Sequence, residues 1–397
     1  MNMKIQIAAV AGAVAFSVMV LSSPSDPIPL PAPPPAAVSP SGAASSQSSS
    51  ISIVATGLEM PRAIATHGDR VFLTEKGGAV RVVQNGTMLD RPLAVFRVAD
   101  AFDGGLLGIA VHPDFSKNHH LYVFLTYEGD GYGEDGNGIS QDGLSSGATP
   151  ATTAPLWNKV IRITESGNRL HDAVDIIDQI PGSKFTNGGF VKFGPDGKLY
   201  VGTGTVSEAS HLPQDVDSLA GKILRLNDDG SIPDDNPFPG SAVYSTGHRN
   251  PQGIAWDDSG TMYVAERGPE KNDEVNVVTP GTDYGWPGLE CAGDADGRGA
   301  ATLCYDPGIE PGGIAFYSYD RLGLEHPFVM ASLRASNLYQ LDFEEGLPSQ
   351  QPILSGAGRI RDVVVHPDDG SIYVITSNTD GKGFPGPEDD RLIRILR

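Results

Sequence analysis

Short apolar runs alternate with polar tight turns along most of the chain. At several places a turn rich in His, Asp, Gly or Ser is followed at once by a β-branched or aromatic run, and a second apolar run precedes the turn. The copies lie at 66–73, 109–123, 194–201, 257–264 and 363–374. Two such runs joined by a polar turn predict a β-hairpin.

A third apolar run, interrupted by one polar residue, follows most of these hairpins. These runs are 80–83, 160–163, 223–226, 275–278 and 392–395, and a degenerate further copy covers 328–330 with 338–341. A repeated unit of hairpin plus strand predicts an all-β, six-bladed β-propeller, with long loops on the channel-mouth face. The longest of these loops is 130–155. The alternative is a β-sandwich or another mixed β fold, which the number of copies disfavours.

The first fifty residues lack this pattern. Lys4 precedes an apolar run at 5–21, which is typical of a secretory signal peptide, and 22–50 is almost only Pro, Ser, Ala and Gly. We expect a signal peptide at 1–21, a disordered spacer at 22–50 and the propeller domain at 51–397. The predicted location is secreted or in the cell envelope, and the alternative is an uncleaved N-terminal anchor.

The overall charge excludes some partners. Acidic residues number 49 against 28 basic ones, for a formal net charge of −21. Such a surface repels phosphate backbones and anionic membranes, so we expect no nucleic-acid partner and no stable membrane insertion after signal cleavage. It also supplies carboxylates for hard cations such as calcium.

Cys291 and Cys304 are the two cysteines of the chain. In an oxidising compartment we expect them to form a disulfide bond. The alternative, a metal-binding pair, lacks the short spacing and the further ligands that metal sites show.

Two arginine-containing segments are candidates for binding an anion. Arg249 and Asn250 lie on a tight turn and offer a forked cation beside an amide, which suits a planar, oxygen-rich anion. An inter-blade salt bridge is the alternative. Arg359 and Arg361 alternate along a strand and should face the same side, so they require either an anionic ligand or neighbouring acids such as Asp362.

An acidic segment, 266–274, is a candidate for calcium. Gly268 and Pro269 fix a turn with exposed carbonyl groups, and Asp273 and Glu274 add carboxylates. Oxygen ligands of this kind suit calcium. A plain acidic loop is the alternative.

Ordered strings from about Val54 to Arg397 resemble the soluble PQQ-dependent aldose sugar dehydrogenases, the glucose/sorbosone dehydrogenase family. The strings are 105–115, 188–189, 193–201, 220–225, 229–233, 247–253, 284–287 and 358–362. The resemblance implies a six-bladed propeller that binds pyrroloquinoline quinone (PQQ) and calcium and oxidises aldoses at the anomeric carbon to lactones. The implied partners are a small sugar and an external electron acceptor.

The resemblance also implies roles for individual residues. The quinone would contact Arg249, Asn250, Arg334, Arg359 and Arg361, with Asp103 near it. Gly268 and Pro269 would offer carbonyl groups to the calcium beneath the cofactor. Glu274 and Tyr284 would bind a second, structural calcium.

Three positions depart from the family pattern. Thr186 stands where the family has its catalytic His, Thr205 replaces an acidic residue, and Asp103 replaces Gln or Glu. A Thr hydroxyl is too weakly basic to accept a proton at neutral pH, and loss of a general base costs about 10²–10⁴-fold in rate. His211 is either a substitute base or an exposed loop residue.

These departures leave three functions open. The first is a sugar dehydrogenase whose activity is impaired at Thr186. The second is a non-catalytic propeller that binds a saccharide or a protein, and the third is a metal-dependent, lactonase-like hydrolase. Dependence on added quinone, on metal alone or on neither separates them.

Overall fold

The computed structural model describes residues 50–129, 139–140, 154–291, 298–343 and 349–396. The predicted signal peptide, the predicted spacer up to residue 49 and most of the loop 130–155 lie outside these residues. No helix in the described ranges is long and apolar enough to cross a membrane.

Strands account for nearly all of the regular structure. The first half contains β1 (Ser50–Ala55), β2 (Pro61–His67), β3 (Arg70–Glu75), β4 (Ala79–Gln84), β5 (Thr87–Met88), β6 (Ala94–Phe96), β7 (Leu106–Val111), the short helix α1 (Phe115–Asn118), β8 (His120–Glu128), β9 (Ile139–Ser140), β10 (Leu156–Ser166), β11 (Arg169–Pro181), β12 (Gly188–Phe193) and β13 (Leu199–Thr203). The second half contains β14 (Ile223–Leu226), β15 (Val243–Ser245), β16 (Pro251–Trp256), β17 (Met262–Glu266), β18 (Asp273–Val278), β19 (Leu303–Tyr305), β20 (Pro311–Phe316), β21 (Phe328–Ser332), β22 (Asn337–Asp342), β23 (Ser349–Ser355), β24 (Ile360–Val365), β25 (Ile372–Thr376) and β26 (Leu392–Leu396). Two 3-10 turns, Ser207–Ala209 and Leu212–Gln214, lie between β13 and β14.

The described strands form six antiparallel sheets, the blades of a propeller. Blade 1 is β2-β3-β4-β6-β9, with β5 beside β4, and blade 2 is β7-β8-β10-β11. Blades 3, 4 and 5 are β12 to β15, β16 to β19 and β20 to β23, and blade 6 is β24-β25-β26-β1. The predicted six-bladed propeller is confirmed, and the degenerate copy forms β21 and β22 of blade 5.

The ring closes in two ways. The innermost strands of neighbouring blades contact one another all the way round, including β24 of blade 6 with β2 of blade 1. In addition, β1 pairs with β26, and Ile53 lies opposite Ile393. The first and last strands therefore share one blade.

Apolar residues of the predicted strands pack between blades. Phe72 and Val82 of blade 1 lie in one buried cluster with Leu121 and Val123 of blade 2. Burying a side chain of this size contributes about 1.5–3 kcal/mol. The core is thus a series of clusters around the ring, which holds the innermost strands in fixed positions.

In every blade, the pairing between the innermost strand and the next strand is irregular near the beginning of the innermost strand. The extra residue is Arg62 in blade 1, Leu107 in blade 2, Gln252 in blade 4 and Arg361 in blade 6. A β-bulge redirects the side chain of the extra residue. The regular alternation that was predicted to put Arg359 and Arg361 on one side is therefore interrupted between Ile360 and Asp362.

The predicted disulfide is confirmed. Cys291 is bonded to Cys304, and their Cα atoms lie 5.6 Å apart. Cys304 belongs to β19, the outer strand of blade 4. The bond therefore fastens the preceding loop to this blade.

Candidate active site at the channel mouth

The six innermost strands surround a central channel. Near their beginnings they line a cavity of about 60 Å³, whose polar side chains include Arg62, Lys192, Gln252, Arg361 and Asp362. We call the beginnings of these strands and the loops that precede them the mouth; it comprises residues 59–64, 101–108, 184–190, 247–253, 308–313 and 357–362. Because each blade contributes one strand, a ligand at the mouth can contact residues that are far apart in sequence.

Arg62 and Arg361 are two cations of the mouth without a carboxylate partner within 4 Å in the described residues. The Nη1 of Arg361 donates to the Oε1 of Gln252 at 3.1 Å, and its Nε is buried without a partner. Burial, and then the positive charge of Arg62, lower the pKa of Arg361 to about 9. Burial also lowers the pKa of Arg62. Two guanidinium groups in this situation favour the arrival of an anion.

Arg359 and Arg334 already have carboxylate partners. The Nη2 atoms of both lie 3.1 Å from Glu310, which is only 5% exposed. Arg267 also donates to Glu310, at 3.0 Å, and Arg359 has a second carboxylate, Asp380, at 2.9 Å. Burial would raise the pKa of Glu310, but Arg267 and Arg359 outweigh this effect and lower it. Glu310 is thus an ionised carboxylate shared by three arginines.

Arg249 and Asn250 lie at the beginning of blade 4. The Nη1 of Arg249 donates to the carbonyl oxygens of Arg267 at 2.8 Å and Gly268 at 2.7 Å, and its guanidinium lies over the ring of Trp286. The Oδ1 of buried Asn250 accepts the backbone N–H of Gly188 in blade 3 at 3.0 Å. Blades 3 and 4 are therefore joined by the hydrogen bond of Asn250. Arg249 forms no salt bridge in the described residues; its guanidinium donates to carbonyl groups and lies over Trp286.

Thr186 lies in the loop before β12 and is 6% exposed. Its Oγ1 donates to the carbonyl oxygen of Thr205 at 2.8 Å and also lies against that of Phe185. The backbone φ angle of Thr186 is +63°, which is unusual for a β-branched residue. The backbone segments at Thr186 and Gly204 approach each other so closely that a Cβ at Gly204 would lie 1.7 Å from the Thr186 carbonyl oxygen. The hydrogen of the Thr186 hydroxyl is therefore bonded to a backbone carbonyl oxygen where these two segments meet.

Asp103 belongs to a loop that reaches the mouth from blade 1. Its backbone N–H donates to the carbonyl oxygen of Lys184 at 3.0 Å. Its negative charge acts on Arg62, Lys76 and Arg361. The structure thus brings Asp103 to the cationic part of the mouth.

An exposed aromatic pair lies beside Asp103 and Thr186. The side chains of Phe102 and Phe185 are 51% and 49% exposed, and their ring centroids lie 5.1 Å apart in an edge-on arrangement. Phe102 also has a positive φ, of 56°. Two large apolar rings are thus held at the rim of the mouth in contact with solvent.

The four predicted calcium residues line one small cavity of about 10 Å³ next to Arg249. Gly268, Pro269, Glu274 and Tyr284 surround it together with Glu266 and Glu290. Burial, and then the charge of Glu266, raise the pKa of Glu274 to about 7.

Several of the potential ligand atoms in this cavity are engaged. The Gly268 carbonyl accepts from Arg249, and the Tyr284 hydroxyl donates to the Val277 carbonyl at 2.6 Å. Within the described ranges, no group of three or more His, Cys, Asp or Glu side chains is arranged to hold a metal ion. A cation here would need backbone carbonyl groups as well as Glu274.

His211 belongs to the turn whose Pro213 carbonyl accepts the N–H of Gly247 at 2.9 Å. It is exposed on the turn between the two 3-10 helices, and its carbonyl accepts the N–H of Gln214 at 3.0 Å. No contact between its side chain and Thr186 or Asp103 is present in the described part of the chain. Its role as a substitute base stays a prediction.

Sequence reasoning missed Arg62, Gln252, Glu310 and Asp380. A repeated feature could have located the first three, because a proline marks the beginning of three innermost strands, at Pro61, Pro251 and Pro311. Arg62, Gln252 and Glu310 each adjoin one of these prolines.

Comparison with known proteins gives a consistent result. Residues 58–394 match the protein family described as Glucose / Sorbosone dehydrogenase. Quinoprotein glucose dehydrogenase B of Acinetobacter calcoaceticus is 33% identical over 283 residues, which cover 64% of this chain and 55% of that protein. The match thus spans little more than half of that relative's length. The aldose sugar dehydrogenase YliI of Escherichia coli K12 is 29% identical over 354 residues, which cover 82% of this chain and 89% of that protein.

Two solved structures share the fold. The PQQ-bound aldose sugar dehydrogenase of Streptomyces coelicolor has a TM-score of 0.71 and 32% identity, with 88% of this chain and 98% of that chain covered. The soluble aldose sugar dehydrogenase of E. coli, in its apo form, has a TM-score of 0.72 and 26% identity, with coverage of 88% and 99%.

Proposed function

The chain belongs to the glucose/sorbosone dehydrogenase family, and on that basis we propose that it is a secreted quinoprotein that oxidises aldose sugars at the anomeric carbon to lactones. PQQ and calcium are the proposed cofactors, and an external acceptor takes the electrons. The observation that carries this proposal is the pair of guanidinium groups, Arg62 and Arg361, that lack a carboxylate partner at the channel mouth.

The residues of the mouth fit a planar anion that carries carboxylates. Polar atoms at or beside the mouth are buried without a partner in the described residues, among them the Nε atoms of Arg249 and Arg361 and the Oγ1 of Thr205. Buried donors of this kind are costly unless a ligand satisfies them. PQQ, when bound, supplies two-electron oxidation of the sugar C1–H bond. Arg249, Arg361 and Asn250 would hold and orient it at the end of the channel.

The sugar itself needs an apolar contact as well as polar ones. Phe102 and Phe185 present exposed ring surface at the rim, where they adjoin Asp103 and Thr186 in the chain. The C–H face of a pyranose can pack against such rings, which carry a large apolar area. We therefore assign these two residues to sugar binding.

The proton of the C1 hydroxyl has no strong acceptor at position 186. The Thr186 hydroxyl, whose hydrogen points to a backbone carbonyl group, is a far weaker base than an imidazole because it is an alcohol. We expect this proton to pass to water and the turnover to be lower by about 10²–10⁴-fold than with a positioned base.

The resemblance implies two calcium ions, but the four residues it names line one cavity beside Arg249, and we assign a single calcium to it. Glu274 would contribute its carboxylate, Gly268 and Pro269 their carbonyl groups, and Tyr284 lines the same space. Oxygen ligands are what calcium requires. A cation at the Gly268 carbonyl would compete with the guanidinium of Arg249 for that oxygen.

Secretion is part of the proposal. It is supported by the disulfide bond, since such bonds persist in oxidising compartments, and by the composition of the first fifty residues.

Thr186 also favours a second candidate, a non-catalytic propeller that binds a saccharide. Reduction of an electron-accepting dye by the full-length protein, with calcium and with or without PQQ, separates the two across a panel of aldoses. PQQ-dependent reduction supports the dehydrogenase. Binding of PQQ without reduction indicates a cofactor site that has lost its base, and absence of both supports the binding propeller. Turnover of lactones with metal alone would instead support the hydrolase.

A further inference from the structure

A second cavity lies at the other end of blades 4 and 5, and we call it the blade 4–5 cavity. It is bounded by the turn between β16 and β17, by the ends of β20 and β22 and by the residues around the beginning of β21, and its volume is about 470 Å³. Because the innermost strands begin at the mouth, these ends lie on the opposite face of the ring. Cavities of about 300–1,000 Å³ are typical of small-molecule sites.

One wall of this cavity is aromatic. The ring centroid of Phe328 lies 4.4 Å from that of Tyr263 and 4.9 Å from that of Phe343. Phe316 joins the same group, 5.1 Å from Phe328. Phe328 is buried, whereas the other three rings are half-buried and line the cavity with part of their surface. The electron-rich face of such a ring attracts a cation.

The charged part of the lining is acidic. Its carboxylates are Asp257, Asp258, Glu325 and Asp342, and no Lys or Arg belongs to the lining in the described residues. Asp258 and Glu325 form no ion pair within 4 Å in the described part of the chain. The one imidazole of the lining, His326, lies 3.6 Å from Asp342. The cavity therefore carries an excess of negative charge.

The surroundings of the lining do not remove this excess. Burial would raise the pKa of Asp257, but the hydrogen bonds of its turn, among them the N–H of Thr261 at 2.8 Å, outweigh burial and lower it. Asp257 thus stays ionised. Arg321 is the one Lys or Arg in the loop between β20 and β21, and it donates to the carbonyl oxygen of Asp369 in blade 6.

We propose that the blade 4–5 cavity binds a small organic ammonium ion. Its cationic head contacts the rings of Tyr263 and Phe343, because aromatic faces attract alkylammonium groups and also tolerate their apolar methyl groups. The carboxylates of Asp258 and Glu325 balance its charge. The site lies on the face opposite the mouth, so this inference goes beyond the proposed function and does not depend on it.

The test is the binding of choline to the full-length protein, measured by isothermal titration calorimetry. The neutral alcohol 3,3-dimethylbutan-1-ol has the same shape and serves as the comparison probe. Choline should bind at least about tenfold more tightly, because only choline carries a charge. Raising the salt concentration from about 0.05 M to about 0.5 M should weaken the binding of choline, since salt screens the exposed carboxylates.

Three variants locate the site. D258N and E325Q should each weaken choline binding about two- to fivefold, since both charges are exposed. F343L should weaken it about three- to tenfold, because leucine keeps the apolar volume without the aromatic face. The matched controls are D234N, an exposed acid between β14 and β15, and F384L, in the loop between β25 and β26, where the ring is 99% exposed. Both should bind choline as the wild type does.

Thermal unfolding checks that each variant is folded. Asp258 and Glu325 are exposed, so D258N and E325Q keep the test decisive if F343L does not fold. The inference is overturned if choline does not bind, or if choline and the neutral alcohol bind equally well. It is also overturned if the folded variants of the cavity bind choline with the affinity of the wild type.

Discussion

The hydroxyl of Thr186 donates to the carbonyl oxygen of Thr205, 2.8 Å away, at the position where the family has its catalytic histidine. The only hydrogen of that hydroxyl is thereby directed to the backbone, and Thr186 holds together the loops before β12 and after β13. The hydroxyl oxygen keeps its lone pairs, but an alcohol is far too weakly basic to take a proton from the substrate at neutral pH.

Restoring the base should restore turnover. Thr186→His is expected to raise kcat for aldose oxidation at least about tenfold, since imidazole is a suitable base near neutral pH. His also tolerates the positive φ at this position better than a β-branched residue does. Thr186→Asn is the matched control, because it relaxes the backbone without adding a base. Equal kcat values for the two variants would place the base elsewhere.

The aromatic pair at the rim predicts an effect on substrate affinity. Phe102→Ala and Phe185→Ala should each raise KM for aldoses about three- to tenfold, since each removes an apolar ring face on which a sugar can pack. PQQ binding should be unchanged. Val174→Ala, which truncates an apolar side chain that is 38% exposed on the outermost strand of blade 2, should leave KM unaltered. An unchanged KM in both Phe variants would exclude them from the sugar site.

Asp362 should make stability depend on pH. Its carboxylate accepts the backbone N–H groups of Ile64 and Val363, both at 2.8 Å, and burial raises its pKa from 3.8 to about 6. Between these values the folded chain keeps a proton that the unfolded chain has released. Rising pH therefore favours unfolding, by up to about 1.4 kcal/mol per pH unit.

The measurement is the free energy of unfolding from pH 4 to pH 7 for the wild type and Asp362→Asn. The wild type should lose stability relative to the variant as the pH rises from about 4 to about 6, and the difference should be constant above that range. A constant difference over the whole range would show that Asp362 does not titrate there.

Calcium should stabilise the folded protein through Glu274. Chelation should lower the unfolding temperature of the wild type, because a ligand at a hundred times its Kd contributes about 2.7 kcal/mol. Glu274→Gln should abolish this dependence on calcium, whereas the exposed Glu325→Gln should retain it. A calcium effect of the same size in Glu274→Gln would refute the assignment of this cavity.

The blades were accessible to sequence reasoning because each hairpin is encoded locally. The turn at 194–197 and the strand Leu199–Thr203 that follows it can be recognised without knowing any other part of the chain. The contacts of the mouth are different. The pair Arg359 and Glu310 joins residues 49 positions apart, and the pair Arg361 and Gln252 joins residues 109 apart.

The β-bulges are a second reason why the site could not be predicted from the sequence. Arg361 was placed by simple alternation, but one extra residue in β24 changes the direction in which a side chain points. Arg62 was not singled out at all, because a lone arginine after a proline carries no chemical signature until the neighbouring blade is in place. Position in the ring, and not residue type, gives these side chains their roles.

The pairing of β1 with β26 sets the order of events when the protein is made. The hydroxyl of Ser50 in β1 donates to the backbone of Leu396, and these two residues are 346 positions apart. The last blade therefore cannot be completed until β26 has been synthesised and can pair with β1. Contacts of such long range slow folding, and a chain cut short at either end would expose an unpaired strand edge open to aggregation.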